Sequence, residues 1–289
     1  MIPLRDDQPR TTRPYVTYSI MVLNLAVFAY EIWISMQERQ AWYAFLVRYA
    51  EIPHHFQLAF QGSQYTISGA FLTIFTSMFI HAGWLHVLGN MWFLWIFGDN
   101  VEDHFGHATY ALFYLFCGFV GSMAQLFANP TSDVPTIGAS GAIAGIMGAY
   151  LLRYPQARIQ VFWVYQVFWM PAIGMLFYWF ALQVIGQILT QAAASRIHLG
   201  GVAYWAHLGG FVAGLVMTKF IPGRSEYAYG GWTKKEDAAR QPPSLLRITP
   251  PHRKAIIQSI FPASGRSMSD TDGGFEFPWA CGPPMMVHN

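Results

Sequence analysis

Residues 16–36, VTYSIMVLNLAVFAYEIWISM, hold a single ionisable side chain of carboxylate or basic type, Glu31, and runs of this kind recur along the chain. A segment crossing a ~30 Å hydrocarbon core needs roughly 20 such residues as a helix, because only helices and closed barrels satisfy every backbone polar group without water. Six candidate spans result: about 16–36, 79–98, 108–128, 139–152, 168–190 and 202–221. Residues 161–190 are almost unbroken apolar sequence but too short for two crossings. One span is expected there, preceded by an aromatic interfacial stretch ending near Pro171. Composition agrees, since the 289 residues are 54% hydrophobic and 11% charged, against about 25% charged in a soluble globule. The fold class expected is an all-α polytopic membrane protein.

Lys and Arg set the orientation. With the N-terminus inside, Arg5, Arg10, Arg13, Arg153, Arg158, Lys219 and the basic residues after Arg224 fall on the cytoplasmic side. Only Arg39, Arg48 and Arg196 stay outside, as the positive-inside rule requires. The acidic loop 99–107, DNVEDHFGH, also falls inside. Residues 37–67 read as a long external loop, functional or partly folded. The domain expectation is therefore a cytoplasmic segment 1–15, a membrane domain 16–221 and a disordered cytoplasmic tail 222–289 rich in Pro, Gly and Ser. The first span is too long for a cleaved signal peptide, and no Arg- and Ser-rich presequence precedes it, so a prokaryotic plasma membrane is expected. A net charge of +2 gives no reason to invoke nucleic acid.

Polar residues inside spans are costly and are functional candidates by default. Here they are His81, His86 and Asn90 in the second span, Ser140 at the head of the fourth and His207 in the sixth. Under the assigned topology all lie toward the external face. Gly141 and Gly145 in the fourth span, and Gly210 and Gly214 in the sixth, are spaced four apart, which lets membrane helices approach closely. If those faces meet, Ser140 Oγ and a His207 nitrogen fall within the ~2.6–3.2 Å needed to activate a serine. The apolar run from Ala139 to Leu152 is short for the bilayer, so its first turn is expected below the surface, with 129–138 dipping in to meet it. A helix N-terminus supplies unpaired N–H groups for an oxyanion, and His86 and Asn90, four apart on one face, can complete the hole. Glu31 is the only acid within a span and nothing pairs it with His207, so a serine–histidine dyad is expected rather than a triad.

Each signal has a blander reading. Serines among small residues are common packing contacts, and an intramembrane histidine often plays a structural role or serves a proton path. Zinc binding by His81, His86 and His207 lacks a carboxylate ligand and a His-Glu-x-x-His pattern. A client-binding protein without catalysis, or a small transporter on glycine-rich helices, belongs to a different functional class. The presence of both Ser140 and His207 argues against the first, and the absence of an acid near the site argues against proton coupling in the second.

The order of the blocks GASG at 138–141, AHLGGFVAG at 206–214 and HAGWLHVLGN at 81–90 strongly resembles the rhomboid intramembrane serine proteases. The resemblance covers about 16–221 and implies a six-transmembrane-helix bundle. It implies Ser140 as nucleophile, His207 as general base and then acid, and His86 and Asn90 as oxyanion stabilisers with the Ser140 N–H. His81 corresponds to a structural or water-organising histidine. The implied substrates are single-pass membrane proteins cut near the external end of their transmembrane segment; no metal, nucleotide or other cofactor is implied. Leu72-Thr73 stand where many relatives carry Trp-Arg, and Ala144 where some carry a tyrosine packed on the histidine ring. Tyr204, one turn before His207, is expected to hold the imidazole instead.

Overall fold

The computed structural model describes residues 1–193 and 202–223. The expectation of a disordered tail falls on 224–289, outside the described residues. The protein is mostly helical, with nine helices and three strands among the described residues. Among the described residues, three helices are long and apolar enough to cross a membrane: α1 (Tyr15–Gln37), α6 (His107–Ala128) and α8 (Ala172–Ala193, apolar over Ala172–Ala192).

The first loop is largely helical. It contains α2 (Arg39–Tyr49) and α3 (Pro53–Phe60), followed by α4 (Ile67–Ser77). Proline at the first position of α3 costs no hydrogen bond, because that N–H has no partner within a helix. Thr66 caps α4 by accepting from the Gly69 N–H at 3.1 Å. Phe56, Ala59, Ala70 and Ile74 then form a small core of their own beneath the loop.

Helix α5 runs from Trp84 to Phe105, which corrects two expectations. It begins five residues later than expected, so His81 precedes the helix. It also continues through most of 99–107, turning at Gly106, whose φ of 77° suits glycine. The acids expected in a loop are buried at the helix end instead. Glu102 accepts from the backbone N–H of Val16 (2.9 Å) and Thr17 (2.7 Å), and Asp103 from those of Thr11 and Thr12 (both 2.9 Å). Carboxylates here satisfy the orphan donors and the positive end of α1. This explains acidic residues at an end where basic ones prevail.

A three-stranded antiparallel sheet, ordered β1-β2-β3, corrects the all-α expectation. Strands β2 (Arg158–Trp163) and β3 (Gln166–Pro171) form a hairpin where an aromatic stretch was expected, and the N-terminal β1 (Ile2–Asp6) pairs with β2. Ile159 and Val161 alternate inward and are fully buried, the period-2 pattern of a one-faced strand. Helix α8 starts directly after Pro171.

The main core gathers around α7 (Ser140–Arg153). Every residue of α7 from Gly141 to Tyr150 is buried, and α9 (Tyr204–Thr218) packs along it most intimately. Glycine makes this possible. A Cβ on Gly210 would overlap the Gly141 carbonyl, and one on Gly214 the Gly145 carbonyl. Without a hydrophobic force between helices in lipid, such backbone contact is what joins them.

Candidate active site

Residues 129–139 form a non-helical strap that leads into the N-terminus of α7. Non-helical backbone in a membrane protein needs partners within the protein or water. Thr136 N–H donates to the Glu51 carbonyl at 2.7 Å, His54 N–H to the Ser132 carbonyl at 3.0 Å, and Gly138 N–H to the Ser77 carbonyl at 2.9 Å. His54 Nδ1 lies 2.8 Å from an Asp133 carboxylate oxygen. Thr76 Oγ1 adds a bond to the Tyr49 carbonyl at 2.6 Å. These contacts anchor the first loop, while Leu72 is exposed and Thr73 bonds only within its own helix. Strap and loop hold each other.

Ser140 is the first residue of α7, so its N–H and those of the next residues have no carbonyl one turn back. Its Oγ lies 2.6 Å from Nε2 of His207, in the first turn of α9. The close crossing of α7 and α9 sets that distance. His207 Nδ1 lies 2.8 Å from Oε1 of Gln183 on α8. The imidazole is flanked by Trp179, with ring centroids 5.9 Å apart, and by Tyr204, edge-on at 6.4 Å. Tyr204 thus touches the ring as expected, but the hydrogen bond that holds it comes from α8. Sequence reading missed Gln183 and Trp179. The available signal was a glutamine in an otherwise apolar span, with Trp179 one turn earlier on the same face.

His86 and Asn90 occupy the first two turns of α5. Both converge on Gly138: a Cβ there would stand 2.6 Å from His86 Nε2 and 3.5 Å from Asn90 Nδ2. Gly138 has φ of 115°, so both backbone and space demand glycine. Ala82 N–H donates to His86 Nδ1 at 3.4 Å, which leaves Nε2 as the protonated nitrogen aimed at the site. The Asn90 amide nitrogen is buried with no partner among the described residues. A buried donor left free calls for a functional explanation. His81 plays another part: its N–H donates to both Glu31 carboxylate oxygens at 3.2 Å, and its ring meets that of His86 edge-on. Glu31 therefore serves the entry to α5 and not His207.

A cavity of about 740 Å3 lies in front of this group, lined by His86, Asn90, Pro135, Ser140, Trp179 and His207. Behind Ser140 a second cavity of about 20 Å3, lined by Ser77, Ser122 and Thr136, has room for a water molecule. The arrangement brings a hydroxyl, an imidazole and two further polar side chains together at the edge of an open cavity. An imidazole lone pair 2.6 Å from a hydroxyl can take its proton as the oxygen attacks.

Fold and site define a helical membrane protein that holds a serine hydroxyl and an imidazole in hydrogen-bond contact within its bundle. The chain belongs to the rhomboid family: residues 68–224 match the Rhomboid domain. It is 28% identical to RHOMBOID-like protein 1 of Arabidopsis thaliana over 232 residues, covering 75% of this chain and 55% of that protein. It is also 28% identical to Rhomboid protein 1, mitochondrial, of Saccharomyces cerevisiae over 210 residues, covering 71% and 53% respectively. RHOMBOID-like protein 6, mitochondrial, of Arabidopsis thaliana is 43% identical over 79 residues, 27% of this chain and 25% of that protein. The chain spans about half the length of the first two relatives.

Proposed function

We propose that this protein is an intramembrane serine endopeptidase that cuts membrane proteins in or near their transmembrane segments with a Ser140–His207 dyad. The observation that carries the reading is the 2.6 Å contact between Ser140 Oγ and His207 Nε2 in a chain of the rhomboid family. In this reading α1, α5, α6, α7, α8 and α9 are the six membrane helices of a catalytic domain over 16–221. Both termini lie in the cytoplasm, and the site opens toward the external face.

Ser140 Oγ attacks the substrate carbonyl carbon while His207 Nε2 takes the hydroxyl proton. The carbonyl π electrons move to oxygen, and the resulting oxyanion is met by the Ser140 N–H, His86 Nε2–H and Asn90 Nδ2–H. The tetrahedral species collapses, the C–N bond breaks, and His207 returns its proton to the departing amine. A water then attacks the acyl ester while His207 Nε2 takes its proton, the ester C–O bond breaks to release an acid, and His207 passes that proton to Ser140 Oγ to restore the hydroxyl. The free amide of Asn90 supports this role, because a donor without a ground-state partner gains one only as the oxyanion forms. Substrates must unwind locally to present a peptide bond, which favours segments weakened by Gly or Pro.

The test is to incubate the purified protein in liposomes with a single-pass membrane substrate and, separately, a fluorophosphonate probe. Cleavage and labelling are both expected, and both are expected to vanish in Ser140→Ala. Cleavage that persists in Ser140→Ala overturns the reading. A folded wild-type protein that binds the substrate without cutting it points to the client-binding alternative.

A further inference from the structure

The Gln183 amide makes two hydrogen bonds, and together they decide which way round it stands. Its Nε2 donates to the Trp179 backbone carbonyl at 3.3 Å, an atom that can only accept. Its Oε1 is therefore the atom facing His207 Nδ1 at 2.8 Å. An oxygen at that distance requires the proton on Nδ1. The other ring nitrogen, Nε2, then carries a lone pair toward Ser140 Oγ at 2.6 Å, the form a general base needs. With the opposite tautomer, Nε2–H would face the hydroxyl and no proton could be taken.

We propose that Gln183 is a positioning residue that locks His207 in the Nδ1–H tautomer and fixes its ring plane, and that it ties the base to α8, the helix walling the substrate cavity. This rests on the serine protease reading above. Gln183 is buried and does not line the 740 Å3 cavity, so it acts through His207 and not on the substrate. Trp179, one turn earlier, lines that cavity and packs on the same imidazole. At Gly186, one turn later, a Cβ would overlap the Tyr204 ring, so α8 and α9 are in close contact there. The face Trp179, Gln183, Gly186 thus seats α8 on α9 around the histidine. A neutral amide oxygen here fills the orienting place for which no carboxylate is present among the described residues, and it does so without burying a charge.

Three variants test this: Gln183→Leu, which removes the acceptor at similar size; Gln183→Glu, which keeps an acceptor oxygen; and Ser140→Ala as the zero. In Gln183→Leu, kcat for the single-pass substrate is expected to fall roughly 10- to 100-fold, less than the ~100- to 10,000-fold a general base contributes because His207 itself remains, with KM within about twofold. Gln183→Glu, which keeps an acceptor oxygen in the same place, is expected to recover most of kcat. Nitrogen NMR of the His207 ring in detergent micelles supplies a readout independent of turnover. Nδ1 is expected to be protonated in wild type and in Ser140→Ala, with both tautomers populated in Gln183→Leu. A wild-type ring protonated on Nε2, or a Gln183→Leu variant with wild-type kcat and tautomer, overturns the proposal. Absence of cleavage in wild type with the Nδ1–H tautomer intact would instead overturn the protease reading and leave the positioning role standing.

Discussion

Gly210 of α9 lies directly against the carbonyl of Gly141 in α7, one residue beyond Ser140, so closely that no side-chain carbon fits between them. His207 stands three residues before Gly210 on the same helix. The separation of two backbones therefore sets the distance between hydroxyl and imidazole.

Gly210→Val should push α9 off α7 and break the 2.6 Å contact. Overpacking of this kind costs about 1–3 kcal/mol. A loss of fluorophosphonate labelling of at least about tenfold is expected, with a lower unfolding temperature in detergent. Labelling at the wild-type rate would mean that the crossing does not control the dyad.

Asn90→Leu removes the free buried amide donor while keeping a side chain of similar bulk. Loss of one oxyanion donor typically lowers kcat by about 100- to 1000-fold. The fall should appear in kcat with KM little changed, because the hydrogen bond strengthens only in the transition state. Equal losses in a Val87→Ala control, a buried neighbour on α5 facing the core, would indicate a packing effect instead.

Glu51, whose carbonyl holds the strap, has a fully buried carboxyl. Neither oxygen has a hydrogen-bond partner of ordinary length among the described residues. Burial raises its pKa from 4.5 to about 8, and the Ser122 hydroxyl facing it offsets only part of that. The folded state thus prefers the protonated acid, while the unfolded chain ionises above about 4.5. Its stabilising contribution is complete below that value and is lost as pH rises through about 8. Thermal unfolding between pH 5 and 9 should show Glu51→Gln gaining on wild type as pH rises, by roughly 1–3 kcal/mol at the alkaline end. A difference independent of pH would show that the carboxyl does not titrate in this window.

At the far end of α7, the Tyr150 hydroxyl donates to the Asp6 carboxyl at 2.5 Å, joining the N-terminal strand to the helix that begins with Ser140. Burial lifts Asp6 to about 7. Tyr150→Phe leaves that carboxyl short of a donor, a loss of about 1–3 kcal/mol. The contact lies ~15 Å along the helix from Ser140 at 1.5 Å per residue. A lower unfolding temperature with labelling rate per folded molecule within about twofold is the expected result; a large change in labelling would couple the sheet to the site.

Much of this was readable in the chain itself, because it is written in local patterns. The length of an apolar run marks a helix fit for lipid, and Ser140, His207, His86 and Asn90 stand out as polar residues in such runs. Glycines four apart marked the faces where α7 and α9 meet. Tertiary structure decided the rest, since it depends on pairs that no local pattern announces. The sheet went unread because its two-residue turn places Val164 at φ 59°, where the usual signal is glycine or asparagine, and because its third strand is 152 or more residues away at the N-terminus. Glu102 and Asp103 read as a solvated loop because the α1 end they cap is some 85 residues earlier. Gln183, 24 residues from His207, is one amide in an apolar helix until the packing of α8 on α9 turns its oxygen toward the ring. Burial is a property of sequence, but a hydrogen bond between helices is a property of how their faces are rotated, and only packing determines that.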